Sequence, residues 1–123
     1  MKRFNKYLPS LTTALIIFIL TSIPGKTINS VGLNKESYNI NVHFIMYFFF
    51  CFTLYKGSKS PWASFFGSVL YGILMELYQK VVPGRAFQYL DIAINSFGSL
   101  LALGILWKRS LILPKKLSNW LEK

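Results

Sequence analysis

Acid is the scarcest chemistry in this chain: Glu36, Glu76, Asp91 and Glu122 are its only carboxylates among 123 residues, against 14 Lys and Arg and one His. Charged residues of both signs make up only 15%, where a soluble domain carries about 25%. Cysteine is limited to Cys51, inside the run FIMYFFFCFTLY, which excludes an internal disulfide and leaves the thiol as filler in a core or a lipid-facing surface. There is no Gly-rich phosphate loop, no GxSxG elbow, no CxxC and no HExxH, so familiar nucleotide, hydrolase, redox and zinc signatures are missing. Internal repeats, low-complexity tracts and domain boundaries are also missing, and 123 residues are too few for a multidomain enzyme. A single domain over residues 1–123 is expected. Hydrophobic residues at 53% and aromatics at 17% exclude a disordered chain.

The net charge of +10 takes its meaning from where it sits. A nucleic-acid binder spreads Lys and Arg over a folded face, whereas a membrane protein confines them to the ends of apolar runs. Here they are confined, so nucleic acid is not an expected partner and the lipid bilayer is. Crossing about 30 Å of hydrocarbon takes roughly 20 apolar residues, and four runs approach that length, over about 8–23, 38–55, 61–82 and 87–107. The first also has the basic start of a secretory signal. Its exit, TSIPGK, lacks a small-x-small cleavage pattern and carries Pro24, which favours a retained span.

Basic residues in short loops stay on the cytoplasmic side. With the N-terminus inside, ten of the fourteen fall on inner segments and only Lys26, Lys35, Lys80 and Arg85 on outer ones. The expected fold is therefore an all-α integral membrane bundle of four transmembrane helices, N-in and C-in, multi-pass in the cell membrane. Tyr7, Tyr38, Tyr55, Trp62, Tyr89 and Trp107 fall near the expected span ends, at headgroup level. Residues 24–37, PGKTINSVGLNKES, read as an outer loop. In the tail PKKLSNWLEK, Leu117, Trp120 and Leu121 are spaced for a short interfacial helix.

An ionisable group inside a span costs about 2.5–3.5 kcal/mol on the insertion scale, so it faces a bundle interior or a wet cavity. Three such groups occur: His43, Glu76 and Asp91. Because direction alternates from span to span, all three converge near the outer surface. In the third span Ser64, Ser68, Gly72 and Glu76 recur every four residues with Gln79 beyond, and in the fourth Asp91, Asn95, Gly98, Ser99 and Ala102 form a matching stripe. Small residues permit close helix approach, so these two faces are expected to pack together and bring Glu76 near Asp91 and Asn95. In the second span His43, Tyr47 and Cys51 share a face, which turns most of the neighbouring phenylalanines toward lipid or core. Between spans three and four, QKVVPGRAFQYLD places a Pro83-Gly84 turn and then Arg85 at the mouth of the cluster. That guanidinium is suited either to pairing with Glu76 or Asp91 or to holding a ligand's phosphate or carboxylate.

The order His-Phe-x-x-Tyr, then Glu-x-x-Gln-x-x-Val-Pro-Gly-Arg, then Asp-x-x-x-Asn-x-x-Gly resembles the VanZ-like membrane proteins. The matching residues are His43, Phe44 and Tyr47, then Glu76, Gln79 and Val82 to Arg85, then Asp91, Asn95 and Gly98. The resemblance extends over about residues 39–107. One departure stands out: members often carry Asp-Lys shortly before the His, where this chain has Asn39 and Ile40. Membership would imply a cell-envelope role, since the namesake is associated with low-level resistance to the glycopeptide teicoplanin.

Three functional readings follow. In the first, Arg85, Gln79, Asn95 and Tyr47 hold an anionic lipid or a lipid-linked cell-wall intermediate at an outer-leaflet site, with Lys80 and Lys26 attracting it. In the second, His43, Glu76 or Asp91 acts as the catalytic acid or base, or holds a metal, in a membrane enzyme acting on a lipid-linked substrate, although their spacing carries no metal signature such as HExxH and no cofactor is expected. In the third, the cluster only locks helices together. A bundle of four short spans is also compatible with a homo-oligomer.

Overall fold

The computed structural model describes residues 2–22, 36–83 and 89–122, and every regular element among them is a helix. In chain order these are α1 (Lys2–Ser22), α2 (Glu36–Ser58), α3 (Pro61–Gln79), α4 (Tyr89–Trp107), α5 (Arg109–Ile112) and α6 (Lys115–Glu122). The outer loop expected at 24–37, apart from the first residues of α2, and the segment 84–88 with Arg85 lie outside the described residues.

Local chemistry explains the turn between α2 and α3. Lys59 adopts a left-handed backbone with φ 59°, and its amide donates to the Tyr55 carbonyl at 2.8 Å, ending α2. That conformation costs a residue with a Cβ about 1–2 kcal/mol. Ser60 then stands extended as the N-cap of α3, its Oγ accepting from the Ala63 amide at 3.3 Å, with Pro61 at the first helical position, where a missing N–H matters least. At its other end α3 tightens into three-residue bonds, Lys80 N–H to Leu77, Val81 to Tyr78 and Val82 to Gln79. The helix therefore stops at Gln79, three residues before the expected end of that span.

Helix α2 is the hub, touching α1, α3, α4 and α6, with its largest interface on α4. Two apolar clusters form around it. One joins Cys51, Phe52 and Tyr55 to Ala102 and Leu106 of α4 and Leu121 of α6. The other joins Tyr47 and Phe50 to Ile17 of α1. Cys51 is thus core, and Phe50 and Phe52 join it, while Phe49 faces outward. Helix α1 is tied to α3 by Tyr71, whose hydroxyl donates to the Ala14 carbonyl at 2.6 Å. A stack of Phe18 on Tyr78 at 5.2 Å adds to this tie.

Burial runs opposite to that of a soluble domain. Ser64, Ser68, Ser99, Glu76, Gln79, Asn95, Asp91 and His43 are buried, while Leu11, Leu15, Ile19, Phe66, Leu70, Leu74, Phe97 and Leu101 are exposed. Soluble proteins bury the second group and expose the first. Two helices, Phe4–Ser22 and Tyr89–Trp107, are long and apolar enough to cross a membrane. The four-span expectation is met that far: α2 and α3 fall short of the same test among the described residues. Their inward stripes of Ser, Tyr, His, Glu and Gln lower the mean hydropathy of the whole helix.

Close approach of α2 and α4 rests on Gly98. A Cβ there would run into the carbonyl oxygen of Phe44, whereas one at Gly104, two turns along the same helix, meets nothing within 4 Å. Gly98→Ala should therefore lower stability by about 1–3 kcal/mol through overpacking. Gly104→Ala should be neutral or raise it by up to about 1 kcal/mol, since glycine weakens a helix interior. Unfolding in detergent followed by circular dichroism checks the pair, and equal effects would contradict the assigned contact.

Candidate functional site: a buried polar cluster at one end of the bundle

The stripe read from the third span is the buried face of α3: Ser64, Ser68, Gly72, Glu76 and Gln79 are the buried residues of that helix. The stripe on α4, Asp91, Asn95, Gly98, Ser99 and Ala102, is buried likewise, together with Ile94, Leu103 and Leu106. The two faces meet in antiparallel register. Ser68 and Ser99 share a hydrogen bond of 2.5 Å, and one turn further the Cβ position of Gly72 lies 3.4 Å from Nδ2 of Asn95. One turn beyond on the same two faces, Glu76 and Asp91 are buried as well.

Gly98, grouped with that stripe, in fact faces α2, and α2 completes the site. His43 Nδ1 lies 3.0 Å from Oδ1 of Asn95, both side chains being buried. An amide oxygen only accepts, so Nδ1 is the donor in this bond. Ser99 Oγ, bonded to Ser68, also lies 3.5 Å from the Tyr47 carbonyl, which can only accept. This chain of hydroxyls links α3 to α4 to α2. The Tyr47 ring closes the site from beside Gly72, its Cε1 lying 3.2 Å from that residue's Cβ position.

The structure thus gathers His43, Asn95, Tyr47 and Gly72 directly and buries Glu76 and Asp91 on the same faces of α3 and α4, with Gln79 at the end of α3. Among the described residues every fully buried side-chain nitrogen and oxygen has a hydrogen-bond partner. No group of three or more His, Cys, Asp and Glu stands close enough to hold a metal ion, again among the described residues. Tyr78, near the same end, bonds to Ser22 of α1 at 3.1 Å, a packing role.

The opposite end holds what the sequence reading missed. Tyr55, expected at headgroup level, is buried, and its hydroxyl donates to Oε1 of Glu122 at 2.8 Å. Lys56, expected as a loop cation, is buried in the last turn of α2. It donates to the Trp120 carbonyl at 2.5 Å and stands 4.1 Å from the centre of that residue's ring. Lys59 donates to the Leu121 carbonyl. The last carbonyls of a helix have no partners within it and carry partial negative charge, so two lysines complete the end of α6. Leu121 is fully buried beneath it, while Leu117 and Trp120 remain partly exposed, as an interfacial helix requires. The available signal was the lone carboxylate Glu122 in a basic tail.

These features define a class: a small all-helical protein, polar within and apolar without, with two helices suited to crossing a membrane. A model of the VanZ/LLP1 family matches residues 5–113, most of the chain, and the chain belongs to that family. No curated relative and no solved structure matches it.

Coupling between His43 and Asn95 is directly measurable. A double-mutant cycle with His43→Phe and Asn95→Leu should give an interaction of about 0.6 kcal/mol, and at most about 1.7, the range for side-chain hydrogen bonds inside membrane proteins. Additive losses would show that the bond does not contribute.

Proposed function

We propose that this VanZ/LLP1 family protein serves the cell envelope, using the His43–Asn95 end of the bundle as an outer-leaflet site for an anionic lipid or a lipid-linked cell-wall intermediate. The observation that carries this reading is the burial of His43, Tyr47, Glu76, Gln79, Asp91 and Asn95 at one end of a bundle whose exterior is apolar. Polar groups are expensive inside a membrane and are spent there on ligands, ions or proton transfer. In this reading all four long helices span, with both termini cytoplasmic, and exposed leucines and phenylalanines face lipid. Arg85, Gln79, Asn95 and Tyr47 contact the ligand, with Arg85 as the anchor for its negative charge. Glycopeptide resistance is the phenotype this role would serve.

Topology is tested by thiol labelling of intact cells after Cys51→Ala. A membrane-impermeant maleimide should modify Ser30→Cys and leave Asn119→Cys unmodified until the cells are opened. Labelling of both, or of Asn119→Cys alone, would contradict the orientation.

The site is tested in a host lacking the protein and complemented with wild type, Glu76→Gln, Arg85→Ala or Asp91→Asn. Teicoplanin susceptibility is scored against the amount of inserted protein. Variants that insert normally yet lose protection would establish a functional site. Loss in proportion to protein level would instead make the cluster a helix lock.

A second reading rests on the His43–Asn95 bond. With Nδ1–H committed to Asn95, Nε2 of a neutral ring is left as the proton acceptor, the arrangement a general base needs. A membrane enzyme acting on a lipid-linked substrate would use it. Product formation from lipid-linked cell-wall precursors, abolished by His43→Gln in folded protein, would favour that chemistry over binding alone.

A further inference from the structure

A cavity lies on the outer face of α4, running from the middle of the helix toward its C-terminal end. Its volume is about 660 Å³, and its walls are Phe44 of α2, Phe97, Leu100, Leu101, Gly104 and Ile105 of α4, and Ile112 of α5. That volume falls within the roughly 300–1,000 Å³ of sites that take one small ligand. Every lining side chain is apolar, and Gly104 forms part of its wall, with open space where a Cβ would stand. Helix α4 is itself one of the two helices suited to crossing a membrane, so the cavity opens where acyl chains run.

Charge distinguishes the cavity's lower end. The Ile112 amide donates to the Lys108 carbonyl at 3.2 Å, which fixes the apolar wall of α5 one turn from Lys108. Lys115 and Lys116 follow within four residues, and all three lysines are exposed. Lys56 and Lys59, at the same end, are already engaged by the α6 carbonyls. The carboxylate of α6, Glu122, accepts from Tyr55. An apolar cavity ending beside three exposed cations matches an amphiphile with one apolar tail and an anionic head.

We propose that this cavity binds an acyl chain of an anionic phospholipid from the leaflet at the α5–α6 end, with the lipid phosphate met by Lys108, Lys115 and Lys116. The site is separate from the His43–Asn95 cluster and stands whether or not that cluster binds anything. Bound lipid would brace α5 against α4 and so set the position of α6, which caps Lys56 and Lys59.

The test reconstitutes the full chain in equal mixtures of phosphatidylglycerol and phosphatidylcholine, extracts it gently and reads retained lipid by native mass spectrometry. Wild type should retain phosphatidylglycerol in preference to phosphatidylcholine. Gly104→Leu fills open space, so helical circular dichroism should be unchanged while the retained lipid is lost. The triple variant Lys108→Gln, Lys115→Gln, Lys116→Gln should still retain lipid but lose headgroup preference, by roughly fivefold per lysine removed, the usual effect of a basic residue at an anionic surface. Three results would overturn the proposal: no headgroup preference in wild type, undiminished retention by folded Gly104→Leu, or a lipid-free wild-type dimer that Gly104→Leu dissociates, which would make a second copy the occupant.

Discussion

The approach of α2 to α4 at Gly98 sets the geometry of everything polar in this protein. Because no side chain separates that backbone from the Phe44 carbonyl, one turn of α2 is drawn against α4 closely enough for His43 to reach Asn95 and for Ser99 to reach the Tyr47 carbonyl. A wider spacing would leave those groups without partners. In a soluble protein water would enter and satisfy them. Within an apolar exterior, such as this one, the neighbouring helices must do it, at a cost of several kcal/mol for each group that fails. Close packing and polar satisfaction are here one constraint, and a glycine carries it.

That constraint explains which parts of the architecture were legible in the sequence. The four-residue recurrence of Ser64, Ser68, Gly72 and Glu76 marks a face because small and polar side chains have no use on an apolar exterior. The α4 stripe is read the same way, and the register between them follows from the 3.6-residue turn. What spacing does not carry is the choice of partner. Gly98 belongs to the α4 stripe by periodicity and yet faces α2, because α4 is wedged between two helices and the stripe is wide enough to serve both. The hub role of α2 was hidden for a related reason. Its aromatic residues surround it almost evenly, so no face stands out until the neighbours are in place.

The end of the bundle holding Lys56 was the least legible, because its chemistry depends on chain segments far apart in sequence. A positive-inside count treats loop lysines as solvated point charges. Lys56 and Lys59 instead donate to the carbonyls of a helix some sixty residues away. Nothing local distinguishes such a lysine from one facing phospholipid. The bond between buried Tyr55 and Glu122, with the lysine contacts to Trp120 and Leu121, shows that the tail returns to the bundle, and such pairings have no spacing rule.

The two ends therefore divide the chain's scarce charge by opposite logic. At the α6 end cations neutralise the partial negative charge of a helix terminus, and the result is a closed cap in which the described groups satisfy one another. At the other end the described polar groups are acidic, amide, phenolic and imidazole, grouped without an equal number of cations on the helices themselves. There His43 bonds to Asn95 across α2 and α4, and Ser68 to Ser99 across α3 and α4. One end therefore closes a helix terminus, while the other joins three helices through buried polar side chains.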